Sequence, residues 1–321
     1  MPIAIYFLVL FGLLIGNPAL AHDVDGPKTI EHFSVDRVTP NIHVVHGPRG
    51  MPDKDNAGFM NNPAFVVTHE GVVVVDPGSS ARIGEELVKK IRTVTDKPVI
   101  AIFNTHIHGD HWLGNDGVRR AYPNAAIYAH QRMVERLSLG EGEEWVKTIN
   151  RLTGGAIAGT RAVIPTVGLK GGERLNLGGI QFRIHHPGKA HSDTDIMIEV
   201  VDDKAIFLGD IVTHRSVPAV RPEDAYFKGY LHAIRGVMEL PVKTYIPGHG
   251  PSGDRNLPLE SLRFLEALYN AVTKYHRQGL TDFEMKETVM RDLSEYRDWH
   301  WFDGMGRVIS YIYLEVEADA F

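Results

Sequence analysis

Four side chains able to bind a metal fall within one short run of this sequence, Asn104-Thr-His-Ile-His-Gly-Asp-His-Trp112: His106, His108, Asp110 and His111. The apolar run Val99–Phe103 directly before it is rich in β-branched residues and bounded by Pro98, which predicts a buried strand. The donors therefore hang at a strand's carboxyl end, where α/β folds gather their chemistry. Any fold open to this chain must let other segments reach that point. Imidazole and carboxylate suit zinc or another borderline first-row ion. A single histidine in a chain holding 17 reads as a turn residue. Four donors in this density and order do not.

One loop cannot supply all four ligands to a tetrahedral ion that keeps an open position, so further donors are expected elsewhere. His191 lies in the turn His186-Pro-Gly-Lys-Ala-His-Ser-Asp-Thr-Asp195, after a strand expected at 180–186. Asp210 closes Phe207-Leu-Gly-Asp210, after an apolar strand, and His249 sits within Ile246-Pro-Gly-His-Gly-Pro251. Glycine near each lets the backbone turn sharply. Singly, they read as a turn residue, a helix cap and a backbone hydrogen-bonder. Taken in chain order with 106–111 they form a constellation of seven.

The rest of the chain alternates strand and helix patterns. Strands are expected on either side of Thr39-Pro40-Asn41, in a hairpin of Ala64–Thr68 and Gly71–Val75, at Ala125–Ala129, at 173–177, 180–186, 195–201 and 204–208, and at Thr244–Ile246. Helices are expected from a Ser79 or Ser80 cap to about Val94, near Asp116–Ala121, at Gln131–Leu137 and Glu143–Leu152, before Thr244, and from Leu259 onward with breaks near Gly279 and Trp299–Gly306. Two runs of strands, each interleaved with helices, imply an α/β chain with two sheets sandwiched between helices. Gly47–Asn62 reads either as a mobile flap with apolar tips at Met51, Phe59 and Met60 or as an ordinary surface loop. The glycine-rich stretch 153–159 reads as flexible and able to border the site.

The first 21 residues differ from the rest. Ile3–Ile15 is apolar and Ala19-Leu20-Ala21 forms a processing site, as in a secretory signal peptide cleaved after Ala21, although the leading residues lack Lys and Arg. That leaves 22–321 as a single domain with a helical part at 259–315, and a periplasmic or secreted location is expected. The chain has no cysteine, so a metal would be held by His, Asp, Glu and water. Net charge is −6 with Lys and Arg scattered, which argues against nucleic acid as the partner. A small-molecule substrate is expected, with no stable membrane insertion once the leader is removed; the sequence carries no signal of oligomeric state.

The order His106-x-His108-x-Asp110-His111, His191, Asp210, His249 resembles the metallo-β-lactamase-fold hydrolase superfamily, over roughly Val35 to Pro251. The resemblance implies an αββα sandwich, two mixed sheets flanked by helices, with two Zn²⁺ per chain; iron or manganese is also compatible. It implies that His106, His108 and His191 hold one ion, that Asp110, His111 and His249 hold the other, and that Asp210 bridges them. Asp76 would brace the metal loop. A hydroxide shared by the ions would attack the carbonyl of an ester, thioester, lactone or lactam, oriented by Asp110 as catalytic residue. Lactamases of the superfamily carry Cys or Ser where this chain has Asp210, whereas a bridging Asp is similar to glyoxalase-II-type thioesterases and lactonases. The alternatives are an iron-dependent persulfide dioxygenase on the same fold, a β-lactamase, and a binding protein on an inactive hydrolase fold.

Around this centre, Asp76 and Asp193 are candidate partners for the outer N–H groups of ligand histidines. Arg215 and His214 are candidates to bind a substrate carboxylate, or a solvated loop pair. Trp112 and Phe59 are candidates for an apolar wall, and Tyr226 for an oxyanion donor; packing is the competing reading of all three.

Overall fold

The four consecutive valines Val72–Val75 are buried on both sides of their strand, which places a layer against each face of the sheet they belong to. In the computed structural model, which describes residues 29–320, that sheet has seven strands in chain order. They are β1 (Asp36–Arg37), β2 (Ile42–Val44), β3 (Ala64–Val67), β4 (Val72–Val75), β5 (Val99–Phe103), β6 (Ala126–His130) and β7 (Val167–Leu169). β1 to β4 run antiparallel and β4 to β7 parallel. The second sheet holds β8 (Arg174–Leu177), β9 (Ile180–His185), β10 (Met197–Val200), β11 (Ala205–Phe207) and β12 (Thr244–Ile246), with β11 and β12 parallel and the other pairs antiparallel. The leader expected at residues 1–21 lies outside the described residues.

Helices cover both outer faces. They are α1 (Ala81–Val94), α2 (Gly109–Trp112), α3 (Asn115–Ala121), α4 (Gln131–Arg136), α5 (Gly142–Leu152), α6 (Phe227–Met238), α7 (Asn256–Arg277), α8 (Asp282–Asp292) and α9 (Gly306–Ala318). Ser80 caps α1 by accepting from Ile83 N, as its position before the amphipathic run requires. Between the sheets, Val44, Val66, Val73 and Phe103 meet Phe182, Ile184, Ile198 and Phe207. On the outer face of the first sheet, Val72, Val74, Ile102 and Ile127 pack on Ile83, Leu87 and Ile91 of α1. Ile206 and Tyr245 of the second sheet pack under α6 and the C-terminal helices. The αββα arrangement is the one expected. No helix among the described residues is long and apolar enough to cross a membrane.

Three local expectations are corrected. β7 was not foreseen, because Val167-Gly-Leu169 is too short to show alternation. The 47–62 segment is not apolar-tipped along its length: Met51 is 56% exposed, but Phe59 is fully buried with its ring 5.2 Å from that of Phe33. Residues 153–159 form turns anchored by buried Ile157, and the cleft described below reaches Leu152 and no further along that stretch.

Candidate metal centre

All seven expected donors converge at the carboxyl ends of the parallel strands. His106 follows β5, while His108, Asp110 and His111 lie at the start of or within α2. His191 lies between β9 and β10, Asp210 sits in a single 3-10 turn after β11, and His249 follows β12. Three groups of ligand atoms each lie within 4.8 Å of one another: His106, His108 and His191; Asp110, His111 and His249; and His106, His111 and Asp210. Asp210 stands between the first two groups, with Oδ2 3.6 Å from His191 Nε2 and 3.3 Å from His249 Nε2. Asp110 Oδ2 is 3.3 Å from both His111 Nε2 and His249 Nε2. These distances are compatible with the two triads around Asp210 that the resemblance implies, although the third group joins His106 to His111 across them.

Each of the five histidines has its other ring nitrogen held from outside. His106 Nδ1 is 3.0 Å from the Thr105 hydroxyl, and His111 Nδ1 is 2.8 Å from Asp76 Oδ2. His191 Nδ1 is 2.6 Å from the phenol of Tyr230, and His249 Nδ1 is 2.8 Å from the carbonyl of Met60. His108 is reversed: Nε2 faces Asp224 Oδ2 at 3.3 Å and Nδ1 faces inward, 2.8 Å from His191 Nε2. Asp224 is in turn bound by Arg136 Nη2 at 3.1 Å. Such outer partners fix tautomer and ring orientation and raise ligand basicity. Asp76 also accepts from the Thr105 N–H at 2.8 Å and hydroxyl at 2.6 Å, which ties the metal loop to the end of β4. It does so from a left-handed backbone, φ 49°, uncommon for a residue with a side chain.

The inward atoms lack protein partners of the kind they need. His106 Nε2 and Asp210 Oδ1 are buried and make no hydrogen bond, although buried polar atoms are paired as a rule. Imidazole nitrogens face each other at 2.8 Å between His108 and His191 and at 3.3 Å between His111 and His249. Burial and the neighbouring imidazole of His111 hold His106 well below the ordinary histidine range; burial and His108 hold His191 down to about 3. Burial also opposes charge on His249, but Asp210 and Asp110 outweigh it and lift His249 to about 10. Imidazoles at His106 and His191 that resist protonation, beside carboxylates at Asp110 and Asp210 that stay ionised, suit a bound cation. Packing is shaped to this end: a Cβ on Gly248 would fall 2.0 Å from Asp210 Oδ1 and 2.9 Å from His111 Cε1.

The centre floors a cleft of about 750 Å³. Trp145 and Ile149 line it beside His108, the Trp145 ring 5.2 Å from that imidazole, and Arg49 and His214 line it beside His249. Val308, Trp301 and His300 from the C-terminal part complete the wall.

Several expected neighbours are placed elsewhere. Asp193 binds Arg136 and Arg132, not a ligand histidine. Arg215 pairs with Glu260, and Tyr226 is half-exposed on the start of α6, outside the cleft. Trp112 and Phe59 are fully buried packing residues; Trp112 Nε1 donates to the carbonyl of Ile107 and holds the loop that carries the donors. Tyr230, Asp224 and Arg49 were missed. None carries a local motif, and each reaches the site through a contact distant in sequence.

Residues 57–249 match the family model described as the metallo-beta-lactamase superfamily. A probable metallo-hydrolase of Streptococcus pyogenes serotype M6 is 27% identical over 202 residues, covering 60% of this chain and 79% of that protein. A hydroxyacylglutathione hydrolase of Francisella tularensis subsp. holarctica is 27% identical over 197 residues, 60% of this chain and 64% of that protein. The solved metallo-beta-lactamase of Pontibacter korlensis superposes with a TM-score of 0.57 at 21% identity, over 73% of this chain and 99% of the other, a likeness of fold. With seven donors in order at the strand ends of an αββα sandwich, and with the family model spanning more than half of its length, the chain belongs to the metallo-beta-lactamase superfamily.

Proposed function

We propose that this protein is an exported, dinuclear zinc hydrolase acting on a carbonyl substrate, with thioesters, esters and lactones ahead of lactams. The observation that carries the reading is the pair of donor triads sharing Asp210 at the floor of the cleft. When bound there, divalent ions supply Lewis acidity and bring the pKa of a coordinated water close to neutrality.

The protein's part is to hold and orient. Five pinned imidazoles present lone pairs at fixed angles, so little reorganisation accompanies reaction. Asp110, within 3.3 Å of His111 and His249 and open to the cleft, is placed to hold a proton transferred during hydrolysis. Trp145, Ile149 and Val308 give the cleft apolar lining, a surface against which a bound substrate would displace water and so strengthen electrostatic interactions inside. Aspartate at 210, where lactamases of the superfamily carry Cys or Ser, favours the thioesterase and lactonase branches, and the likeness to a hydroxyacylglutathione hydrolase agrees with it. Export rests on the apolar run Ile3–Ile15 and the site Ala19-Leu20-Ala21.

Metal quantification on protein purified without chelator, paired with a panel of thioester, ester, lactone and lactam substrates, tests the reading. Two zinc ions per chain with thioester, ester or lactone turnover are expected. One iron per chain with O₂ consumption overturns it in favour of a dioxygenase. Cell fractionation with N-terminal sequencing tests export, the mature chain being expected to begin at His22.

A further inference from the structure

Four arginines line the cleft: Arg49, Arg151, Arg221 and Arg307. Arg221 is committed to Glu223, Glu141 and Asp224, and its guanidinium lies 4.9 Å over the Trp145 ring. Like Arg151 and Arg307, Arg49 is exposed and has no carboxylate within ion-pairing distance among the described residues. Its guanidinium is nonetheless oriented: Nη2 donates to His214 Nδ1 at 2.7 Å. An arginine has only donors to offer, so His214 accepts with this nitrogen and adds no negative charge.

The placement is specific. A Cβ on Gly250 would lie 3.5 Å from Arg49 Nη2 and 3.0 Å from His214 Cβ, so the pair sits over the residue that follows the ligand His249. The His214 N–H points to the His249 carbonyl at 3.4 Å. Arg49 thus stands at the His249 end of the metal centre, while the apolar wall of Trp145 and Ile149 stands at the His108 end. A guanidinium with no carboxylate partner at one end, and at the other an aromatic–aliphatic wall whose neighbouring Arg221 is already paired with carboxylates, define a two-ended site. The forked geometry matches carboxylate, phosphate or sulfate oxygens.

We infer that Arg49 is the specificity-determining residue of the cleft, binding an anionic group on a substrate whose apolar body lies against Trp145 and Ile149. The inference rests on the hydrolase reading above and narrows it to amphipathic, singly anionic acyl compounds. Arg215, a candidate in the sequence for this role, points elsewhere: its Nε and Nη2 donate to Glu260 at 3.1 and 3.0 Å, and it does not line the cleft.

The test uses a matched pair on the metal-loaded full protein: the S-phenyl monothioester of a six-carbon dicarboxylic acid, and the same compound with its free carboxylate methylated. The wild type is expected to favour the acid. In Arg49→Gln the acid-over-ester ratio of kcat/KM falls roughly 10- to 100-fold, mainly through the KM of the acid. Arg49→Lys recovers part of the ratio, and Arg215→Gln keeps it. An unchanged ratio in Arg49→Gln overturns the inference. Should the wild type cleave neither compound, the thioester arm of the hydrolase reading fails separately, and calorimetry with the matching ketones, CH₂ replacing sulfur, decides on Arg49. Preferential binding of the keto acid, lost in Arg49→Gln, sustains the assignment; equal binding of keto acid and keto ester by the wild type rejects it.

Discussion

The phenol of Tyr230, on α6, holds Nδ1 of His191 at 2.6 Å from a position 39 residues further along the chain. Burial keeps this phenol well above its usual pKa, so it remains protonated across the working range. Replacing it with Phe keeps the ring and leaves a buried imidazole N–H without its acceptor. Tyr230→Phe is expected to weaken ion retention by about 10- to 100-fold, the usual cost of losing such an outer partner. Competition with a fluorescent chelator measures it, and an affinity equal to wild type would count against this role.

At Gly248 the argument is one of space. A methyl group there overlaps Asp210 Oδ1 and crowds His111. Gly248→Ala is expected to fold and to bind fewer ions per chain by elemental analysis. Gly236→Ala, where an added Cβ meets nothing, is the control. It should keep the metal content and gain up to about 1 kcal/mol of helix stability.

Asp76→Asn separates the brace from the charge it carries. Asn tolerates the left-handed backbone at φ 49°. Its amide nitrogen cannot accept, however, while three donor groups converge on the native carboxylate from Thr105 and His111. A loss of about 1–3 kcal/mol is expected in urea unfolding of chelated protein, where no ion contributes. If the chelated variant unfolds at the wild-type midpoint, Asp76 acts only through bound metal.

Stability on the acid side should report Asp116, whose side chain is fully buried beneath Arg120 and Arg161. Burial opposes its ionisation, but hydrogen bonds from Arg161 and Arg120 outweigh that and hold its carboxyl below the ordinary value. A lowered folded-state pKa contributes stability above the unfolded value, about 3.9, and loses it as pH falls through the folded one. Asp116→Asn should therefore cost about 1–3 kcal/mol at pH 7 and progressively less toward pH 3. Thermal unfolding at several pH values checks this; a deficit constant with pH would contradict it.

The donors were legible because the sequence marks each locally: a β-branched run, a turn with glycine, then His or Asp. Asp76 was legible for the same reason, at the end of the valine strand. Tyr230, Asp224 and Arg49 were not, since they act through contacts that exist only after the sandwich closes. His108 and Asp224 are 116 residues apart, and Arg49 and His214 are 165 apart. Arg215 illustrates the reverse failure: its nearness in sequence to Asp210 suggested a role in binding, yet its backbone at φ 44° leads the side chain to Glu260. The 47–62 segment was read by composition, which cannot tell a phenylalanine tip from a phenylalanine anchor.

The seven donors divide between the two sheets: four follow β5 in the first, and three hang from loops of the second. An ion bound by both sets is a cross-link between the halves of the sandwich, in a chain with no cysteine to make one. Ligand at a hundred times its dissociation constant adds about 2.7 kcal/mol to folding, a large share of the ~5–15 kcal/mol that holds a typical domain together. Scarcity of metal would then be felt as a shortage of folded protein as well as a slower rate, so that supply of the ion governs how long each molecule lasts.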